Sequence, residues 1–166
     1  SDIDIMLAED AGLPNLNGAK IELVVADTKG DTETTTSEAK RLIEAGCVAI
    51  AGQFSSATTK TVAVVTEQYG IPLLTAGTAV TLTDGSTPYD WLFRLAANDY
   101  TYVKDTFDFI KEVNAKGTTK IEKIALLSED SEFGKNIAAV ERDYAQSYGL
   151  PIAADLIFTP NSTTLS

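Results

Sequence analysis

At 166 residues the chain is of ordinary single-domain length, enough to bury a sizeable core. Thirteen Lys and Arg against 24 Asp and Glu leave a formal charge of -11, a field that repels phosphate backbones, so nucleic acid is not an expected partner. No apolar run approaches the ~20 residues of a membrane-spanning helix, so direct membrane insertion is not expected, and the absence of histidine excludes a Ser-His-Asp triad, a zinc-protease helix and an imidazole base.

The chain opens on a helical pattern, DIDIMLAEDAG, with Ile3, Met6 and Leu7 on one face. AKIELVVAD, Ala19 to Asp27, is short, apolar and β-branched, and turn residues bound it, so it reads as a buried strand. Asp31 suits the N-cap of the next helix, Glu33 its first turn, Ala39, Leu42 and Ile43 its apolar face, and Gly46 its end. The plan then repeats. CVAIAG is a strand whose single cysteine, Cys47, reads as a small buried hydrophobe. Ala57 to Tyr69 is a helix with Val62, Val65 and Tyr69 inward, and IPLLTAG is another strand. WLFRL follows a loop, Asn98 or Asp99 caps a helix running to about Lys116, and NAKGTTKIE, Asn114 to Glu122, is linker-like. KIALLSED and ADLIFTP are the last strands, flanking a helix from about Gly134 to Tyr148. Asn161-Ser162-Thr163 matches a glycosylation acceptor formally and is read as loop.

Short apolar strands alternating with helices of this length predict right-handed βαβ units: an α/β class, doubly wound parallel sheet in three α/β/α layers. In such sheets ligands bind beyond the carboxyl ends of the strands, at helix N-termini. The stretch AGQFSSATTK places Ser55-Ser56 there, where unpaired N–H groups and the helix dipole favour an anion, although either serine could equally be a plain N-cap. Ala76-Gly77-Thr78 ends the neighbouring strand, so two hydroxyl-bearing loops are expected side by side. Arg94 lies within a strand pattern and is expected in a structural ion pair. Asp27 stands at a strand end like a phosphoryl-accepting aspartate, but the second position after it is Lys29 and no acidic pair for magnesium is evident. Neither a dinucleotide-binding nor a Walker glycine pattern occurs, and no catalytic residue, metal or cofactor is expected.

In order along the chain, NGAKIELVVADTKGD, GQFSSATTKTVAVVTEQYGIPLLTAGTAVTLTD, LFRLAANDYTYV and KIALLSEDSEFGKN resemble the type I periplasmic binding proteins of the leucine/isoleucine/valine-binding branch. No single stretch is specific, but the ordered set is, and it covers nearly the whole chain. The resemblance implies an N-terminal lobe over 1–119, lacking its first strand, and the opening βαβ unit of a C-terminal lobe over 120–166, so the chain is expected to be a fragment. It further implies that Ser56 holds a ligand α-carboxylate, with Phe54 and Ala57 as weaker candidates. Ala76 and Thr78 would meet the α-ammonium with help from Asp99, and Phe133 would line the cleft where many members carry tyrosine. The implied ligand is a small amino acid or related carboxylate, and the implied partner the permease of an ABC importer. The implied location is periplasmic or extracellular, with lipid anchoring of a full-length precursor left open. Sensing by a receptor or regulator of the same fold is the alternative role.

Overall fold

A computed structural model describes residues 12–117, 119–160 and 162. Of the expected opening helix, DIDIMLAEDAG, all but Gly12 lies outside them, as do Asn161 and Thr163 of the acceptor pattern. Among the described residues, five strands and four α-helices follow in the order α1 Thr32–Glu44, β1 Ile50–Ala51, α2 Ser56–Tyr69, β2 Leu73–Thr75, β3 Leu92–Arg94, α3 Asp99–Lys116, β4 Ile124–Glu129, α4 Glu132–Ser147 and β5 Ile152–Phe158. All pairing among them is parallel, β1-β2-β3 in one sheet and β4-β5 in a second. The class is therefore α/β, as the alternation of elements predicts.

Local chemistry sets the helix ends. Asp31 caps α1 by accepting from Thr34 N–H at 2.6 Å, Asn98 caps α3 through Thr101 N–H at 3.2 Å, and Ser131 caps α4 through Gly134 N–H at 3.1 Å. Gly70 closes α2 in the left-handed conformation that a side chain resists. Gly134 is required for a different reason: a Cβ there would lie 2.1 Å from the Glu129 carbonyl oxygen, so its absence lets the first turn of α4 sit against the end of β4.

Two apolar clusters hold these elements. The first joins α1, α2 and the three-stranded sheet through Ala39, Val62, Val65, Leu73 and Leu92. The second joins α3 and α4 through Val103, Phe107 and Val140, with Ile124 and Ile152 of the second sheet packed against it. α3 lies before the division expected near residue 119, yet most of its apolar partners come from α4 and the second sheet, with Val80 of the preceding turn beside them.

Three expectations need correction. Ala19–Asp27 forms no strand: among the described residues its only bridge is Leu13 to Ala19, and a cleft of about 230 Å³ separates Leu23, Val24 and Val25 from the free edge of β1. A strand exists only where a neighbour completes its ladder, and apolar β-branched composition cannot supply one. Val25 is left 76% exposed. Tyr69 is 51% exposed rather than inward, because it ends the last turn of α2, and Cys47 is only partly buried.

Candidate functional site

The ends of β1 and β2 are bound into one unit. Gly52 and Gln53 both carry positive φ, turning the chain sharply out of β1 so that the Gln53 carbonyl accepts from Thr75 Oγ1 at 3.0 Å. Thr59 Oγ1 lies 3.1 Å from Thr75 Oγ1 and 2.9 Å from the Ser55 carbonyl, while Gly77 N–H donates to Thr75 Oγ1 at 3.0 Å. A Cβ on Gly77 would meet Thr59 Oγ1 at 2.8 Å, so only glycine lets the second loop come this close. Ser56 Oγ completes the link by accepting Ala79 N–H at 3.2 Å.

Arg94 braces the second loop from beneath. Its guanidinium donates to the Gly77 carbonyl, to the Ala79 carbonyl at 2.8 Å and to Thr83 Oγ1 at 2.7 Å. The expected ion pair is thus replaced by backbone bracing, because the loop carbonyls lie closer than any carboxylate. Burial lowers the Arg94 pKa, with nearby Asp99 opposing.

These loops open on a cleft of about 500 Å³, lined by Phe54, Ser55, Ala76, Thr78, Ala96 and Tyr102 on one side and by Glu129, Phe133 and Ile137 on the other. Grooves of similar volume occur elsewhere, but they run between helix surfaces, as the one holding Lys40, Lys60 and Gln68 does. This cleft collects the carboxyl ends of β1, β2 and β4, where an α/β sheet presents loops and helix termini to a ligand.

Phe54, Ala76, Thr78 and Phe133 therefore stand together at the cleft. Ser56 does not line it: it is 1% exposed and bonded to the second loop, whereas Ser55 faces the opening with a hydroxyl that makes no capping bond. Ala57, ~100° further round the helix, faces the groove of Thr36 and Lys60 instead. Ala96, Tyr102, Glu129 and Ile137 are the lining residues that sequence reasoning missed; Glu129 ends β4 and was within reach of the strand-end rule.

Asp99 opens α3 beside Thr78, its N–H donating to the Thr78 carbonyl at 3.0 Å. Its side chain is wholly buried, and neither carboxylate oxygen has a hydrogen-bond partner. Burial raises its pKa above the ordinary 3.8; the Thr78 hydroxyl and the Arg94 guanidinium, neither in bonding contact, pull it back only in part. An unpartnered carboxylate in the interior is costly and calls for a cationic or donor group. Asp27, by contrast, accepts Lys29 N–H at 2.9 Å, an ordinary turn, and no group of three metal-ligating side chains occurs among the described residues.

The sequence profile of the periplasmic binding protein family matches residues 6–166. The Leu/Ile/Val-binding protein homolog 8 of Brucella abortus (strain 2308) is 29% identical over 168 residues, an alignment covering 99% of this chain and 41% of that protein. The chain thus spans about two fifths of that relative's length. Among solved structures, an ABC transporter substrate-binding protein from Desulfitobacterium hafniense in complex with Leu superposes with a TM-score of 0.75 at 24% identity, covering 96% of this chain and 45% of that one. The leucine binding protein LivK from Thermotoga maritima MSB8 gives 0.79 at 17% identity, covering 96% and 44%. These similar proteins are binding proteins rather than enzymes, and the fold, the strand-end cleft and the profile match agree: the chain belongs to the periplasmic binding protein family.

Proposed function

We propose that the chain forms part of an extracytoplasmic solute-binding protein that captures a small α-amino acid in the cleft between its two sheets and delivers it to an ABC importer. The observation that carries this reading is a helix N-terminus and a hydroxyl-bearing loop meeting at one opening, with an unpartnered carboxylate buried behind that loop. Ser55 and the first N–H groups of α2, unsatisfied within the helix, offer donors to a carboxylate. The Thr78 hydroxyl lines the opening as an acceptor for an ammonium, and the Asp99 carboxylate, which does not line the cleft and lies buried behind Thr78, adds an unpartnered negative charge on that side. Phe54, Ala76, Phe133 and Ile137 suit the apolar side chain of an aliphatic or aromatic amino acid. Among the described residues no Lys or Arg lines the opening, which favours a zwitterion over a simple anion.

Binding by hinge closure follows from walls that come from two separate sheets: a ligand touching both sides favours the closed form. The proposed partner is the permease of the importer, and the proposed location is periplasmic or extracellular. A thermal-shift screen of the full-length gene product against the common amino acids and small carboxylates tests the reading. Ligand at ~100 times its dissociation constant stabilises by about 2.7 kcal/mol, so a true ligand shifts Tm plainly. The expected result is a shift with one or a few α-amino acids and none with the simple carboxylates; no shift with any α-amino acid contradicts it.

A further inference from the structure

Among the described residues, the side-chain hydrogen bonds that cross from the β1-β2-β3 unit to α4 all end on one atom, Glu132 Oε1. Lys60 Nζ reaches it from α2 at 3.3 Å, and Thr81 Oγ1 reaches it at 3.3 Å from the 3-10 turn Val80–Leu82 just beyond Thr78. Asn136, one turn along α4, steadies Glu132 by donating to its backbone carbonyl at 2.8 Å. Each partner is next to the cleft in sequence. Glu132 precedes Phe133 of the far wall, Thr81 follows the Thr78 loop, and Lys60 lies one turn into the helix whose N-terminus opens beside Ser55.

We propose that Glu132 is a closing latch: a positioning residue that draws α4 toward α2 and the second loop, and so sets the cleft width between Thr78 and Phe133. This rests on the solute-capture reading for its purpose but not for its geometry. A single oxygen that accepts from a cation and a hydroxyl across the gap, and more distantly from Asn136 Nδ2 of its own helix at 3.5 Å, suits a latch that must also release. The pair is partly exposed, 49% for the Lys60 side chain and 29% for that of Glu132, so the bond is weak enough to break with each opening and is screened by salt. Contacts present only in the closed form shift the open-closed equilibrium without touching ligand, and they appear chiefly in the dissociation rate.

The test uses the full-length protein with Cys47→Ser, labelled through Ser37→Cys on α1 and Asp143→Cys on α4, both exposed. Pulsed electron-spin distances are recorded without ligand, alongside dissociation rates for the best amino acid of the screen. Glu132→Gln, Lys60→Met and Thr81→Val are expected to lengthen the mean ligand-free separation and to raise dissociation about three- to tenfold. The swapped pair Lys60→Glu/Glu132→Lys is expected to recover the shorter distance, a result that simple loss of packing would not give. Salt at 0.5 M should widen the unmodified protein toward the variants and leave Glu132→Gln little changed. Separations unchanged in all three single variants overturn the latch. If the unmodified protein binds no amino acid, the capture reading falls, while the ligand-free distances still decide the latch.

Discussion

Thr59 Oγ1 and Thr75 Oγ1 meet at 3.1 Å, joining the helix that begins at Ser56 to the strand that ends at Thr75. Both residues are fully or almost fully buried, and through them the Gln53 and Ser55 carbonyls and the Gly77 N–H all find partners. Replacing Thr75 by valine keeps the shape but strands polar groups in the interior, at a cost of about 1–3 kcal/mol. Chemical denaturation of Thr75→Val should show this loss with an unchanged denaturant slope. The exposed Thr106→Val, whose hydroxyl bonds only within its own helix, should show little.

Arg94 acts on the cleft through the backbone it braces. Arg94→Lys keeps one charge but loses the planar fork that serves Gly77, Ala79 and Thr83 together. The expected outcome is a stability loss of about 1–3 kcal/mol together with weaker ligand affinity, read by denaturation and calorimetric titration. An unchanged affinity would show that the loop holds its shape without the guanidinium.

For Asp99 the two readouts should move in opposite directions. Its folded pKa is raised, burial being the main cause, so between the unfolded and folded values the native state holds the extra proton. Its contribution to stability is then fully present below the unfolded value and is lost as pH rises through the folded value. Asp99→Asn removes this penalty, and the ligand-free variant should melt higher than the parent at neutral pH and gain nothing at pH 3. Ligand affinity should fall at least tenfold, because an ammonium beside Thr78 loses the negative charge buried behind it. A variant that loses stability at neutral pH would mean that Asp99 has a structural partner.

Gly134→Ala should displace the start of α4 rather than merely stiffen it, because the added methyl meets backbone at Glu129. Overpacking of this kind costs about 1–3 kcal/mol. Amide exchange should quicken in the first turn of α4 and stay near parent rates in α1.

How much of this was legible beforehand depended on the range of the interaction. Helices declared themselves through local signals: Asp31, Asn98, Gly70 and the periodic apolar faces place α1, α2 and α3 within a residue or two of the observed ends. α4 begins two residues earlier than expected because Ser131 caps it, and a serine ahead of an acidic first turn was a readable signal. The location of the cleft followed from the general rule for strand ends. Ala19–Asp27 misled because strand pairing is decided by a distant neighbour and not by the segment's own composition. The exchange of Ser56 for Ser55 at the opening turns on one helical step, and the Thr59–Thr75 and Arg94 contacts join residues that only the folded chain brings together. Glu132 was invisible for the same reason, its partners lying 72 and 51 positions away.

The central claim is that the cleft recognises both ends of a zwitterion. Calorimetric titration of the full-length protein with its best amino acid, the methyl ester of that amino acid and the deaminated acid tests this most directly. The account predicts tight binding of the amino acid and a loss of at least about 100-fold for each analogue, since the ester leaves the Ser55 and α2 donors without a carboxylate and the deaminated acid leaves the Asp99 charge without a cation. Equal affinity for the amino acid and its deaminated counterpart would contradict it.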